Sequence, residues 1–485
     1  MRRSSCALGA SLALLSMLAG CSTSSGLHPQ LTPVDPRGLT LAQTTARFDF
    51  SPAAWPAGDW WQSLGDPQLD QLEQEALAGN PDISLAEARL RAARAQADTS
   101  RAARLPGLDL GAGIGGGRAP PAVIPAAGSF KSAKYGALNF QWDLDLWGGK
   151  REAWVAAVDQ AHAAEVDVQA ARVELSASVA RSYIQFSYAW TQLDVADAEH
   201  QRSEDARRLT RQRVAAGIDN QSQLKQSDAE VASADQQCLA AREAIDDARI
   251  QLAILLGKGP DRGLSLSRPP ALPLAMPGLP AVVPADLIGH RADLVAARWR
   301  VEAAGHTIKS DKTQFLPNIS ISALAGALAV GSANPFEFPA AFYGGGPALS
   351  LPIFDGGRRR ATLAGADAGY DQAVAQYDKI LIGAVNDIAR QLTDVQSLAA
   401  QLQAQQRARD AAQAAWSLAE QRYHAGVGSY LEALVVRQQL LVADQKLADL
   451  HARQLDLSVQ LVQALGGGFQ PSAQALAAHS SHHSR

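Results

Sequence analysis

Residues 82–106, DISLAEARLRAARAQADTSRAARLP, and residues 293–317, DLVAARWRVEAAGHTIKSDKTQFLP, are two versions of one phrase. Laid over each other without a gap, they agree at Asp82/Asp293, Ala86/Ala297, Arg89/Arg300, Ala92/Ala303, Ala93/Ala304, Leu105/Leu316 and Pro106/Pro317, an offset of 211. A second pair, Arg213-Val-Ala-Ala-Gly217 and Arg422-Tyr-His-Ala-Gly426, stands at an offset of 209, as do Leu255-Leu256-Gly257 and Ala464-Leu465-Gly466. The chain is a tandem duplication of a unit of about 210 residues, and a repeat this long means two pseudo-equivalent halves of one architecture, not a solenoid. The change of offset puts a two-residue length difference between Pro106 and Arg213. The halves are read as residues 21–267 and 285–469, joined by residues 268–284, RPPALPLAMPGLPAVVP. So much proline removes amide donors and favours extended polyproline II, a semi-rigid connector. Residues 470–485, with His479, His482 and His483, read as a disordered tail and not as a metal site.

Between Arg151 and Ala216 there is neither glycine nor proline. A helix over those residues is about 100 Å long at 1.5 Å per residue. Ile218–Leu256 and Ser429–Leu465 are equally clean, and residues 358–425 lack proline. Along the last clean run Leu431, Leu434, Gln438, Leu441, Gln445, Ala448, Ala452, Leu455, Val459 and Val462 step by three and four. That spacing predicts coiled-coil packing in a long helical body, with the small and polar members marking close approach or a wet face. Gly217 and Gly426 each punctuate a pair of long helices and are expected at tight helix-to-helix turns at the far tip.

Leu138-Asn-Phe-Gln-Trp-Asp-Leu-Asp-Leu146 follows a different period. Leu138, Phe140, Trp142, Leu144 and Leu146 alternate with Asn139, Gln141, Asp143 and Asp145, the pattern of a strand with one apolar and one polar face. Its length approaches the about 9–11 residues of a tilted membrane strand, with Trp142 at its centre and Trp147 at an interface. The apolar set is expected to face lipid and the polar set a lumen. Partner strands are expected at 108–114, 318–324 and 346–354, giving hairpins at about 107–147 and about 317–354 with exposed loops at 115–130 and 331–340. Four strands cannot span lipid as an open sheet, because unsatisfied edge amides and carbonyls cost several kcal/mol each. Four are also too few to close, so the sheet must close with other copies of the chain.

The chain opens with Arg2-Arg3, an apolar run from Cys6 to Ala19, and Leu18-Ala19-Gly20-Cys21. This is a secretory signal over residues 1–20, too short to span a membrane, ending in a lipobox-like site that makes Cys21 the expected acylated N-terminus. The remaining Cys238 has no partner for an intrachain disulfide and reads as a small buried side chain. Without the signal, 42 basic residues face 48 acidic ones with no basic block, which argues against a nucleic-acid partner. No GxSxG, HExxH, P-loop or CxxC is present, so the sequence offers no enzyme motif, cofactor site or metal site. Gly115-Gly116-Gly117 lacks a following helix and reads as loop.

Trp60-Trp61 with Leu64-Gly65-Asp66-Pro67, Asn80-Pro81-Asp82, Leu144-Asp145-Leu146-Trp147-Gly148, Leu351-Pro-Ile-Phe-Asp-Gly-Gly-Arg358, Arg422-Tyr423 with Gly426, and Leu465-Gly-Gly-Gly-Phe469 occur in this order. Together with the duplication and the lipobox they resemble the TolC-like outer-membrane efflux family, in its OprM-like, NodT-type lipoprotein branch. Two departures are visible: Ala292 stands where the family usually has proline, and Phe469 where it often has tryptophan. The resemblance implies a mainly helical chain whose four strands join those of two other protomers in one twelve-stranded barrel, continued by a periplasmic helical tunnel. It implies a passive exit duct in the outer membrane, fed by an inner-membrane pump through a periplasmic adaptor that docks at the Gly217 and Gly426 turns. It also implies that Leu431 and Glu432, just beyond Gly426, constrict the periplasmic mouth, while Val435 stands where a further acid often lies. The alternatives are an exit duct for protein or metabolite secretion and a non-channel structural lipoprotein.

Overall fold

The computed structural model describes residues 23–39, 54–118, 130–273, 287–331 and 340–470. After a 3-10 turn at Trp60–Leu64 the order is α1 (Pro67–Gly79), α2 (Pro81–Ala102), β1 (Gly107–Gly117), β2 (Lys131–Leu144), α3 (Gly149–Ala215), α4 (Gln221–Leu255) and the short α5 (Asp261–Leu264). The second half runs α6 (Leu287–His290), α7 (Ala292–Thr313), β3 (Asn318–Val330), β4 (Ala341–Ser350), α8 (Arg358–His424) and α9 (Tyr430–Ala464).

The duplication is visible element by element. Helices α2 and α7 have 22 residues each, α3 and α8 have 67 each, and α4 and α9 have 35 each. The first pair lies 211 residues apart and the other two pairs 209 apart. Since β1 and β3 also begin 211 apart, the two-residue difference falls between the start of each hairpin and the long helix after it. Helix α8 continues through Gly365, Gly369 and Gly383, so packing overrides about 1 kcal/mol of propensity at each.

The chain forms two compact units, and neither coincides with a sequence half. One comprises Met1–Pro33, Arg89–Ala164 and Ala296–Asp378; the other comprises Val34–Ala88, Glu165–Val295 and Lys379–Arg485. Helices α2, α3, α7 and α8 each contribute residues to both. Among the described residues no helix is long and apolar enough to cross a membrane.

The first unit holds one antiparallel sheet in the order β1-β2-β3-β4, so the two hairpins are joined through the β2–β3 pair. The strands differ at their ends from the sequence reading. Strand β2 stops at Leu144 and β4 at Ser350, so Asp145, Leu146 and Pro352–Phe354 lie beyond the ladder. Asp145 cannot continue the strand because its carboxylate accepts the Lys150 and Arg151 amides at 2.9 and 2.7 Å, capping the start of α3. Asp355 does the same for α8 with the Gly357 and Arg359 amides, and Pro352 has no amide to donate to a ladder. At the other end the strands are longer than expected: Gly115, Gly116 and Gly117 pair with Ala133, Ser132 and Lys131 and are not loop. These glycine- and alanine-rich stretches carry no side-chain alternation, but a ladder needs only backbone groups.

The second unit holds a hydrophobic core in which Trp60, Leu64, Leu69, Leu72, Ala76, Tyr183, Ile184, Phe186, Leu252 and Leu256 are buried. Asp66 caps α1 by accepting the Gln68 amide at 2.9 Å and also accepts the Tyr183 hydroxyl. On the same buried face of α1 sits Glu73, 0% exposed, whose carboxylate oxygens make no geometrically sound hydrogen bond. Burial pushes its pKa up to about 9, with Ser176 favouring the ionised form and Asp70 opposing it. Cys238 is buried on α4, as its alanine-rich surroundings imply. On α9, Leu441, Ala452, Leu455, Val459 and Val462 are buried while Gln438 is exposed, so the heptad seam is driest toward the C-terminal end of the helix.

Candidate functional site

Two sets of residues carry the expected function: the strand faces in the first unit and the helix-tip turns in the second. In the sheet, register decides which side chains share a face, since directly paired residues point the same way. Leu138 pairs with Leu110 on one side and Ala325 on the other, and Phe140 with Leu108 and Ala323. Trp142 pairs with Ile321 and Leu144 with Ile319, while β4 extends these rows with Tyr343, Gly345, Pro347 and Leu349. This face is apolar from Leu144 up to the Ala112–Gly136–Ala327 row.

The opposite face joins Asn139 to Asp109 and Leu324, Gln141 to Gly107 and Ser322, and Asp143 to Ser320. It is polar over the rows nearest the helices and turns apolar or small beyond them, where Tyr135 pairs with Leu328. Asp143 is ion-paired to Lys150 at 3.0 Å, and Lys150 also donates to the Ala103 carbonyl at 2.9 Å. Asp145 and Leu146 were expected on the polar and apolar faces of the strand; they belong to neither, because the chain has already turned to cap α3. Trp142 is not at the strand centre. It lies two residues from the end of β2, with its indole N–H donating to the Arg104 carbonyl at 3.1 Å, and Trp147 likewise donates to Pro317 at 2.7 Å. Two indoles with one polar contact each, at one end of an apolar band, have the chemistry of an interfacial girdle.

At the tip turns Gly217 and Gly426 have φ of 73° and 74°, a left-handed conformation that L side chains rarely adopt. Each ends its long helix in the same way. The Gly217 and Ile218 amides return to Val214 and Arg213, and the Gly426 and Val427 amides to Tyr423 and Arg422. The next helices start from Asn220, in a reciprocal capping box with Gln223, and from Ser429, whose hydroxyl accepts the Glu432 amide at 3.1 Å. Glu432 therefore occupies the third position of α9, exposed in the single chain. The backbone of Leu431 is in α9, but its side chain lies outside the described residues, as does Cys21.

The tips of the two halves are tied together. Arg213 holds Asp219 at 2.8 and 3.2 Å, its guanidinium lies 4.8 Å from the Tyr423 ring centre, and the Tyr423 hydroxyl is 3.5 Å from Asp219. Burial, then the Asp219 charge, raises the Tyr423 pKa, so the phenol stays a neutral donor. Further along, Glu199 on α3 accepts Arg437 of α9 at 2.7 Å and Arg202 at 3.1 Å, and Arg437 lies 5.2 Å from the Trp416 ring of α8. The Arg437 and Glu199 side chains are only 11% and 9% exposed, and burial with the Glu199 charge raises the pKa of nearby Glu230 on α4. A nearly buried ion pair commits its partners, because removing one leaves a charge unpaired at about 3–5 kcal/mol. Neither network is legible in the sequence; the recurrent arginines of α3 gave no sign of which acid they meet. Among the described residues no three His, Cys, Asp or Glu converge as metal ligands would.

Residues 72–258 and 283–467, more than half of the chain and one segment from each half, both match the family model described as outer membrane efflux protein. The chain belongs to that family. It is 31% identical over 477 residues to the multidrug resistance outer membrane protein MdtP of Escherichia coli K12, covering 96% of each chain. It is 38% identical over 366 residues to the fusaric acid resistance protein FusA of Burkholderia cepacia, covering 74% of this chain and 68% of that one. Among solved structures, the outer membrane protein VceC of Vibrio cholerae superposes with a TM-score of 0.80 at 35% identity, covering 86% of this chain and 100% of that one. The protein is thus an outer-membrane efflux channel, mainly helical with a small sheet, placed in the outer membrane and extending into the periplasm. Its family is one of channels, not of enzymes.

Proposed function

We propose that three copies of the chain close one twelve-stranded barrel that conducts substrates passively out of the cell. The carrying observation is the sheet itself: one face apolar over most of its rows, the other polar toward the helices, with β1 and β4 each paired on one side only among the described residues. Unpaired edges cannot rest in hydrocarbon, and closure with further copies satisfies them. Leu138, Phe140, Trp142 and Leu144 then meet lipid, while Asn139, Gln141 and Asp143 line the lumen. Substrates are delivered by an inner-membrane pump through an adaptor that meets the Gly217 and Gly426 turns. Resistance names among the relatives, multidrug and fusaric acid, favour small organic toxins as cargo. Acylated Cys21 adds a second attachment to the membrane. Mass spectrometry of the mature N-terminus should find lipid on Cys21; an unmodified N-terminus elsewhere would remove the anchor from the scheme.

Leu431 and Glu432 form the periplasmic constriction in this reading. Three Glu432 side chains around a pore repel each other and attract cations, so neighbouring structure must hold them in place. The Arg213–Asp219–Tyr423 tie and the Arg437–Glu199 pair are suited to that, because the first fixes the end of α8, just before the turn, and the second fixes α9 itself to the other half of the chain. Leu431→Ser combined with Glu432→Ala should raise single-channel conductance in planar bilayers and sensitise cells to large antibiotics. Unchanged conductance with trimers intact would show these residues to be ordinary coiled-coil positions.

A further inference from the structure

The described chain begins at Thr23, two residues after the cysteine read as the lipid anchor, and its first residues are fastened to a helix of the same unit. Arg360, in the first turn of α8, donates from Nη1 to the Thr23 carbonyl at 2.6 Å and to the Ser25 carbonyl at 3.2 Å. Three helical turns further on, Asp371 accepts the Gln30 amide at 2.9 and 3.1 Å and the Leu31 amide at 2.9 Å. Charged groups bonded to backbone are the stronger kind of hydrogen bond, and here one grips each end of the segment. A turn between them, with Leu27 N–H on Ser24 O and Gly26 at φ +78°, takes up slack.

The direction of the segment matters. Thr23 lies at the start of α8 and Leu31 farther along it, so the chain traced toward its N-terminus runs back toward the end of β4. Thr23, held by Arg360, is two residues from Cys21 along the chain, a reach of at most about 7 Å. The residues just before α8 form an uncovered apolar ledge: Leu351, Ile353 and Phe354 are 52, 65 and 65% exposed. The ledge is held against the helix by buried Arg359, which donates to the Pro352 carbonyl at 2.7 Å and to Asp355 at 2.7 Å.

Resting on the reading of Cys21 as lipidated, we infer that residues 23–31 are a built tether and that Arg360 and Asp371 deliver the acyl chains of Cys21 onto the Leu351–Phe354 ledge of the same protomer. Arg360 and Asp371 are positioning residues. They do not touch the lipid; they decide where it enters the leaflet. The acyl chains cover an apolar surface at the foot of the barrel that the described protein leaves bare, and lipid and barrel insert side by side instead of as independent anchors.

The test uses the full-length protein in phosphatidylethanolamine–phosphatidylglycerol vesicles, with trimers on a gel as the folding control. The mass of the N-terminal peptide reports acylation independently of where the lipid sits. Hydrogen exchange should show the Gln30 and Leu31 amides protected in the wild type and in Cys21→Ser, and exchanging at least tenfold faster in Asp371→Asn. With p-benzoylphenylalanine in place of Phe354, ultraviolet light should join that peptide to the acylated N-terminal peptide, and Arg360→Ala with Asp371→Asn should lower the yield several-fold. Arg360→Lys should recover part of it. Exchange unchanged in Asp371→Asn would overturn the clamp. Full acylation without any cross-link would overturn delivery to the ledge while leaving Cys21 an anchor. An unmodified N-terminus would overturn the anchor and the delivery together, whatever the exchange rates.

Discussion

Arginine in place of Leu138 should destabilise the membrane-inserted protein by about 2–4 kcal/mol, the cost of a cationic side chain on the lipid face near the midplane of a barrel. Strand β2 runs from Lys131 to Leu144, which puts Leu138 at its middle, and its row continues through Leu110, Ala325 and Tyr343 with no acidic partner for a guanidinium. Trp142→Arg, two residues from the strand end, should cost only about 0–1 kcal/mol in transfer, plus the lost indole contact to Arg104. Asn139→Arg, one residue along but on the polar face, should be close to neutral in stability. Urea midpoints of the three variants in vesicles separate these cases. Equal costs at positions 138 and 139 would refute the assignment of faces.

Neutralising Glu73 should have an effect of similar size through a different route. In the folded chain its pKa is raised from 4.5 to about 9, chiefly by burial in the core of the second unit. A raised carboxylate pKa means that the folded state binds a proton the unfolded state has released. Stability is therefore fully retained below pH 4.5 and lost progressively as pH rises toward 9. By pH 7 the loss is on the order of 3 kcal/mol, at 1.36 kcal/mol per pH unit between the two pKa values. Glu73→Gln keeps the shape and removes the titration. It should stabilise the protein by about 2–3 kcal/mol at pH 7 and flatten the fall between pH 5 and 9. Thermal midpoints of wild type and variant at pH 5 and pH 8.5 measure this directly. Curves of the two proteins that fall in parallel would mean that Glu73 is already ionised, or hydrated, in the fold.

Glu73 also marks the limit of what the sequence reveals. In LDQLEQEAL it is one acid among three, and nothing distinguishes it from Glu75, which is ion-paired to Arg262 at 2.8 Å and 28% exposed. Helix period assigns Glu73 to the face of Leu69, Leu72 and Ala76, but a lone acid on an apolar face is ordinarily read as a border residue. Only the packing of α1 in the core of its unit makes it an interior one.

Other features were legible because their causes are local. The absence of glycine and proline over more than sixty residues forces a long helix, and α3 and α8 end within a few residues of Gly217 and Gly426, where the left-handed conformation is nearly free of cost. The offsets of 211 and 209 reappear as matched helix lengths because a repeated period folds into a repeated element. The alternation from Leu138 to Leu144 marks a strand, since a two-residue period is a property of one segment alone. Partner choice is not local. Where β2 stops was decided by Asp145 meeting the amides of α3, and how far the strands extend through glycine and alanine was decided by the backbone of the opposing strand. The joining of the two hairpins through β2 and β3, the Arg213–Asp219–Tyr423 tie, the buried Arg437–Glu199 pair and the grip of Arg360 on Thr23 link residues that stand tens to hundreds of positions apart. A sequence records which charges and amides are available; which of them meet depends on how distant segments pack, and in this protein that was settled by the tertiary structure alone.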